Sequence, residues 1–271
     1  MSDEPVLRVG AVQMSCQDDL SGNLRKAREG IARCAARGAR LILLPENLAY
    51  MGTEEDKRAI AEDLDGEGPI VKLLSEAARS EGVWVIGGGI PERSADPDRP
   101  FNTSVAFAPS GERAARYRKI HLFDVDIADG ASYRESRSTS PGETVEDVVV
   151  DGFRVRLSVC YDLRFPELYR RGPAPDLVTL PAAFTLLTGK DHWHVLLRAR
   201  AIENQVYVLA AAQWGLHPKG KRTYGKSCVV DPWGDIVAQA TEGEGIVLAD
   251  VERRRIDEVR AQLPCLEHRR L

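Results

Sequence analysis

The chain has 271 residues, 43% hydrophobic and 29% charged, an ordinary globular composition with ample material for a core. A formal net charge of −4 supplies no overall basic field, which argues against nucleic acid or an anionic membrane as partner. "MSDEPVLRVG" lacks the basic region and apolar core of a signal peptide, and no apolar run approaches the roughly 20 residues that span a bilayer. The five cysteines, Cys16, Cys34, Cys160, Cys228 and Cys265, are scattered without a C-x-x-C pair. That pattern argues against a disulfide framework or structural zinc and fits a reducing cytoplasm.

In chain order, strand-like and helix-like runs alternate. "VLRVGAVQM" reads as a buried strand and "NLRKAREGIARCAARG" as an amphipathic helix closed by glycine. "LILLPE" is a second buried strand, "GPIVKLLSEAARSEG" a helix and "VWVIGGGI" a strand. "TSVAFAPSGERAARYRKIHLF" reads as two strands around a Pro-Ser-Gly turn. "DGFRVRLSVCYD" reads as a strand with Cys160 at its exit, followed by a short helix from Pro166. The strand "LVTLP", the helix "DHWHVLLRARAIENQ", the strand "VYVLAAAQ" and the hairpin "SCVVDPWGDIVAQA" follow, and "ERRRIDEVR" reads as a solvated helix face. With no linker or shift of composition, residues 1–271 read as one α/β domain with helices covering sheet faces. "LILLPENL" and "LVTLPAAF" echo one another and admit two similar halves.

Three places put an ionisable or reactive side chain where a strand leaves the core: Glu46, Lys119 and Cys160. Active sites of α/β proteins gather at such strand ends. Taken singly, each has a plainer reading: a capping carboxylate, a solvated lysine beside Arg116 and Arg118, an inert buried thiol. Together they form a chemical set. A thiol is mostly protonated at neutral pH and needs a base; a carboxylate can take its proton and return it to a leaving amine; an ammonium stabilises an oxyanion. Spacing leaves their convergence open.

Six motifs, "LLPENLAYMG", "YRKIHLFDVD", "YRES", "SVCYDLRFPELY", "HWHVLLRARAIENQVYVLAAAQ" and "VVDPWG", together resemble the nitrilase superfamily of carbon–nitrogen hydrolases, from about Val9 to the final "LPCLEHRRL". Within it the chain is most similar to the branch of deaminated glutathione amidases and ω-amidases. The resemblance implies a four-layer α-β-β-α sandwich that pairs into homodimers through helices beside the nucleophile. It implies Glu46 as general base, Lys119 as cationic stabiliser, Cys160 as nucleophile and Glu135 as a second glutamate that holds Lys119. The N–H of Tyr161 joins Lys119 at the oxyanion, Arg164 meets a substrate carboxylate, and Phe184 and Thr185 line the other wall. The implied reaction is thiolate attack on an amide, loss of ammonia and hydrolysis of the thioester, without metal or organic cofactor. Deaminated glutathione is favoured because "YRESRSTSPG" and "LPCLEHRRL" look like that group; the alternatives are 2-oxoglutaramate and N-carbamoyl or nitrile substrates.

His194 and Lys226 depart from the branch, which usually has glutamate and frequently histidine there. His192 and His194, two apart on a helix, cannot share a metal. His121 reads as structural support and His217 as a residue of a polar loop edging the pocket. Two other classes are a catalytically silent scaffold, against which the intact set of Glu46, Lys119, Cys160 and Glu135 argues, and a redox sensor, which lacks a resolving cysteine nearby in sequence.

Overall fold

The computed structural model describes residues 4–126 and 132–270. Strand β1 (Val6–Gln13) buries nearly every side chain, as a central strand must. Helix α1 (Leu20–Ala35) begins where Asp19 accepts the Gly22 N–H at 3.0 Å and buries Leu24, Ala27, Ile31 and Cys34 along one face. Strand β2 (Leu41–Leu43), the short helix α2 (Glu54–Ala59) and α3 (Pro69–Glu81) follow. Helix α3 carries proline in its first turn and ends on left-handed Gly82. Strands β3 (Trp84–Glu92), β4 (Phe101–Phe107) and β5 (Arg113–Arg118) complete the first half.

A small hairpin, β6 (Asp124–Asp126) and β7 (Ser132–Arg134), leads into the second half. There lie β8 (Asp147–Val150), β9 (Phe153–Leu157), α4 (Pro166–Tyr169), β10 (Leu177–Ala182), α5 (Leu186–Asn204) and β11 (Tyr207–Ala212). A second hairpin pairs β12 (Trp214–Leu216) with β13 (Arg222–Tyr224). Strands β14 (Cys228–Val230), β15 (Ile236–Gln239) and β16 (Gly245–Glu252) precede α6 (Arg253–Gln262).

The strands form two six-stranded sheets, β16-β1-β2-β3-β4-β5 and β15-β14-β11-β10-β9-β8. Each has three parallel strands at its centre, β1-β2-β3 and β9-β10-β11, flanked by antiparallel ones. The two Leu-Pro strands, β2 and β10, hold the same middle place, so the echo in the sequence is a repeat of topology. Alternation along β2 shows the layering: Leu41 and Leu43 join the core between the sheets, while Ile42 and Leu44 join the core under α1 and α3. Helices α4 and α5 cover the second sheet, giving the four-layer α-β-β-α sandwich that the family resemblance implies. The last strand, β16, is absent from the sequence-based reading because its side chains are mostly half-exposed and carry no clear period; it returns the chain to the first sheet beside β1. No helix among the described residues is long and apolar enough to cross a membrane.

At the glycines of β3 the two sheets meet backbone to side chain. Register shifts between Gly87 and Ile90, and a Cβ placed on Gly88 would lie 2.0 Å from Pro181 Cβ and 2.6 Å from the Leu44 carbonyl oxygen. Gly88→Ala should therefore lower stability by about 1–3 kcal/mol, read as a lower urea midpoint. Gly245→Ala, with nothing within 4 Å of the added carbon, should stay within about 0.5 kcal/mol.

Candidate active site

Strand exits from both sheets meet at one point. After β2 the chain continues beside β3, with Leu44 N–H donating to Ile86 O at 2.9 Å and Asn47 N–H to Gly89 O at 3.0 Å. Glu46 thus projects from a fixed backbone, which Gln213 also holds by donating to its carbonyl at 2.9 Å. Gly89, at φ 61, leaves the space a side chain would fill: a Cβ there would stand 2.7 Å from Glu46 Cγ. The Glu46 carboxylate accepts Lys119 Nζ at 3.1 Å and Asn102 Nδ2 at 3.0 Å on one oxygen, and the Ala183 N–H at 3.0 Å on the other. Ala183 follows β10, so the second sheet contributes directly.

Lys119 follows β5, its N–H donating to Asn102 O at 2.8 Å, and its side chain is 2% exposed. Nζ donates to both oxygens of Glu135, at 3.0 and 2.8 Å. Glu135 opens a 3₁₀ turn after β7 and also accepts the Phe123 N–H at 2.6 Å and Asn102 Nδ2 at 3.2 Å. One buried ammonium therefore lies between two carboxylates, with Asn102 donating to both.

Cys160 is not the last residue of its strand. Strand β9 ends at Leu157, and Cys160 begins a 3₁₀ turn with φ 49, a left-handed conformation that is costly for a side chain other than glycine's. Asp162, fully buried, holds the turn: one oxygen accepts the Val159 N–H and the Tyr117 hydroxyl, both at 2.8 Å. The other accepts the His121 N–H at 3.1 Å and meets His121 Nδ1 at 2.7 Å. The same carboxylate thus ties the cysteine turn to the exit of β5 that carries Lys119. His121 stacks on Phe165 at 3.7 Å between ring centres, a structural position as its sequence suggests.

Thiol and carboxylate have opposite acid–base tendencies. Burial, then the Glu46 charge, push the Cys160 thiol well above its ordinary value of 9.0, outweighing the pull of Lys119. Burial alone would raise Glu46; the Lys119 ammonium and hydrogen bonds from Cys160, Lys119 and Asn102 outweigh it and hold the carboxyl below its ordinary value. Burial would likewise discharge Lys119, yet Glu135 and Glu46 keep it charged, well above the usual range. The two tendencies favour a proton on sulfur and an ionised Glu46.

All eight residues singled out in the sequence, Glu46, Lys119, Glu135, Cys160, Tyr161, Arg164, Phe184 and Thr185, line a single cavity of about 350 Å³. Cys160 is only 9% exposed, at the cavity floor. The Arg164 guanidinium lies 5.3 Å from the Phe184 ring centre and donates to His192 Nδ1 at 3.2 Å, with no ion pair among the described residues. Phe184 packs on Trp193, and Thr185 caps α5. His217, expected at the pocket edge, is instead a buried strut: its nitrogens bond Cys16 O and Thr223 Oγ1, both at 2.7 Å, because the β12–β13 hairpin folds its side chain inward. Sequence reading missed Asn102, Ala183 and Tyr117. The Gly-Gly-Gly run of β3 was the available signal, since a strand bare of side chains marks a close approach.

Residues 8–261 match the carbon-nitrogen hydrolase family, and the chain belongs to it. It is a nitrilase-superfamily hydrolase of non-peptide carbon–nitrogen bonds, an amidase. The deaminated glutathione amidase of Synechocystis is 42% identical over 268 residues, covering 96% of both chains. The solved structure of Saccharomyces cerevisiae Nit3, of branch 10 of the superfamily, superposes with a TM-score of 0.88 at 32% identity, covering 98% of this chain and 97% of that one. A Glu-to-Gln mutant of the Nesterenkonia amidase, described as carrying acrylamide added at its active-site cysteine, superposes with a TM-score of 0.79 at 25% identity, covering 96% and 98%.

The electrostatics give a test. Iodoacetamide labelling of Cys160, followed by peptide mass spectrometry, should accelerate with pH through and beyond 9, because its thiol lies above its ordinary 9.0. Glu46→Gln removes a charge that opposes the thiolate and should move that profile to lower pH. Cys16, Cys34 and Cys228, buried and pushed up to about 12, should stay unlabelled at neutral pH.

Proposed function

We propose that this amidase acts on small ω-amides bearing a free carboxylate, deaminated glutathione first among them, with Cys160 as nucleophile and Glu46 as the shuttling base. The observation that carries this reading is the convergence of Cys160, Glu46 and Lys119 in one cavity, with Lys119 Nζ 3.1 Å from the Glu46 carboxylate. Substrate carbonyl binding brings the carbon to Sγ; the thiol proton passes to Glu46 as the S–C bond forms. The oxyanion is met by the Tyr161 N–H and by Lys119 Nζ, which redirects one of its three carboxylate contacts toward it. Glu46 returns the proton to the leaving nitrogen as the C–N bond breaks, leaving a thioester. Water, losing a proton to Glu46, then attacks the thioester; Sγ takes the proton back as the acid leaves. For a primary amide the leaving group is ammonia; for deaminated glutathione, whose ω-amide nitrogen carries cysteinylglycine, it is that dipeptide amine. Glu135 keeps Lys119 charged, and Arg164, free of any carboxylate among the described residues, pairs with the substrate's.

We also infer that residues 1–271 act as one catalytic unit, since both sheets build the site, and that the chain works in the reducing cytoplasm, since the reaction needs a free thiol. A second copy is proposed to cover the outer face of α5, where Val195 is 66% and Ile202 45% exposed beside the exposed Trp233 and Val237.

Activity is to be measured on deaminated glutathione, 2-oxoglutaramate, an N-carbamoyl amino acid and a simple nitrile, beside Cys160→Ala. Cys160→Ala should abolish turnover, and Glu46→Gln should lower kcat by about 10²–10⁴-fold with the fold intact by circular dichroism. Arg164→Ala should raise KM for carboxylate-bearing amides roughly 10- to 100-fold and leave a neutral amide little changed. Equal effects on both kinds of amide would remove Arg164 from carboxylate binding, and turnover surviving Cys160→Ala would overturn the mechanism.

A further inference from the structure

The cavity that holds the catalytic groups has a second cationic wall that the steps above leave unused. Its lining includes Lys57 on α2, Lys221 and Arg222 at the start of β13, and a single carboxylate in the same quarter, Glu54. Lys57 is half-buried and already paired with Glu54 at 3.2 Å. Ser138 Oγ donates to the other Glu54 oxygen at 3.2 Å, which anchors this carboxylate to the segment that carries Glu135. Lys221 is also half-buried; its ammonium reaches the Gly52 carbonyl at 3.5 Å and meets no carboxylate at ion-pair distance among the described residues. Burial first, and then repulsion from Lys57, hold that ammonium below its ordinary value, with Glu54 pulling only partly the other way.

The backbone makes this wall rigid. Thr223 bridges to Thr185 at the cap of α5, and the Tyr224 N–H donates to Phe184 O at 3.0 Å. The strand that presents Lys221 is therefore pinned to the residues around Arg164. Arg164 and Lys221, on separate segments of one cavity wall, each lack a carboxylate partner among the described residues. A substrate with one carboxylate satisfies only one of them.

We propose that Lys221, with Lys57 beside it, is a second anion subsite that receives a carboxylate on the leaving-group side of the scissile amide. The cavity is then built for a two-ended dianion, with the acyl-side carboxylate at Arg164. The inference rests on the reading of Arg164 and Cys160 above and narrows it: substrates whose leaving amine carries a carboxylate, such as the cysteinylglycine end of deaminated glutathione, are selected over those that release ammonia.

The test uses Cys160→Ala protein, which binds without turnover, and calorimetric titration with deaminated glutathione and with 2-oxoglutaramate, each with and without Lys221→Met. The expected result is about tenfold weaker binding of deaminated glutathione on Lys221→Met relative to the change for 2-oxoglutaramate, with Lys221→Arg restoring most of the difference. An unchanged ratio of the two dissociation constants, or no binding of deaminated glutathione before the substitution, overturns the subsite. Thermal melts of the variants separate misfolding from lost recognition, and a Lys57→Met variant that shifts the same ratio supports it where Lys221→Met fails to fold. Turnover by the protein with Cys160 intact reports separately on the catalytic reading: no turnover with the ratio still sensitive to Lys221 would remove that reading and leave the subsite standing.

Discussion

A single buried ammonium organises this molecule. Lys119 is shielded from water and placed between Glu46 and Glu135, and its charge is what allows the buried Glu46 to stay ionised. The arrangement is demanding, because removing the lysine would leave two carboxylates facing each other without a counter-charge, a loss of about 3–5 kcal/mol for a broken buried pair. Two sheets, a hairpin and the Asn102 amide are all recruited to satisfy it. In the proposed mechanism the proton moves only from Cys160 to Glu46, inside the cavity. The net charge of the buried group is the same before and after that transfer, so no charge has to cross from water at the moment of reaction.

The cysteine is held with comparable firmness. Its left-handed backbone is unfavourable for a residue with a side chain, and it persists because Asp162 fixes the turn from both sides through Val159, Tyr117 and His121. A buried carboxylate with four hydrogen bonds is a rigid anchor. Tyr117 and His121 flank Lys119 in the chain, so nucleophile and cation share one support. Cys16 offers a contrast: it too stands three residues past the first parallel strand of its sheet, yet Gln213 and the Leu48 carbonyl enclose it and leave a packing thiol. Equivalent places in the repeated topology carry different chemistry because only one faces the cavity.

Recognition is divided from chemistry in space. The floor of the cavity carries the Lys119 ammonium already paired with two carboxylates, while Arg164 and the Lys57–Lys221 wall hold cations without full compensation. Compensated charges preorganise a reaction, and uncompensated ones attract a ligand of opposite sign. The same fold can therefore retain its mechanism while the wall residues change the substrate.

Much of this was legible in the residues. Periodicity placed the central strands and the long helices, because burial on one face imposes a spacing on apolar residues that the backbone geometry alone dictates. The anomaly of Glu46, Lys119 and Cys160 at strand exits marked the site, and ordered motifs tied it to a family. What stayed hidden depended on contacts distant in sequence. Strand β16, with its half-exposed side chains, forms because β1 offers it an edge. Asn102 and the Ala183 N–H gain meaning only when two sheets bring them to Glu46. His217, polar in sequence, is drawn inward by Cys16 and Thr223. The sequence by itself determined the alternation of strands and helices and the chemical groups, since those follow from local pattern and residue type. Only the tertiary structure decided which groups share a proton, which cations are left unpaired and where the thiol is strained, because each is a property of distances between segments that the chain order leaves free.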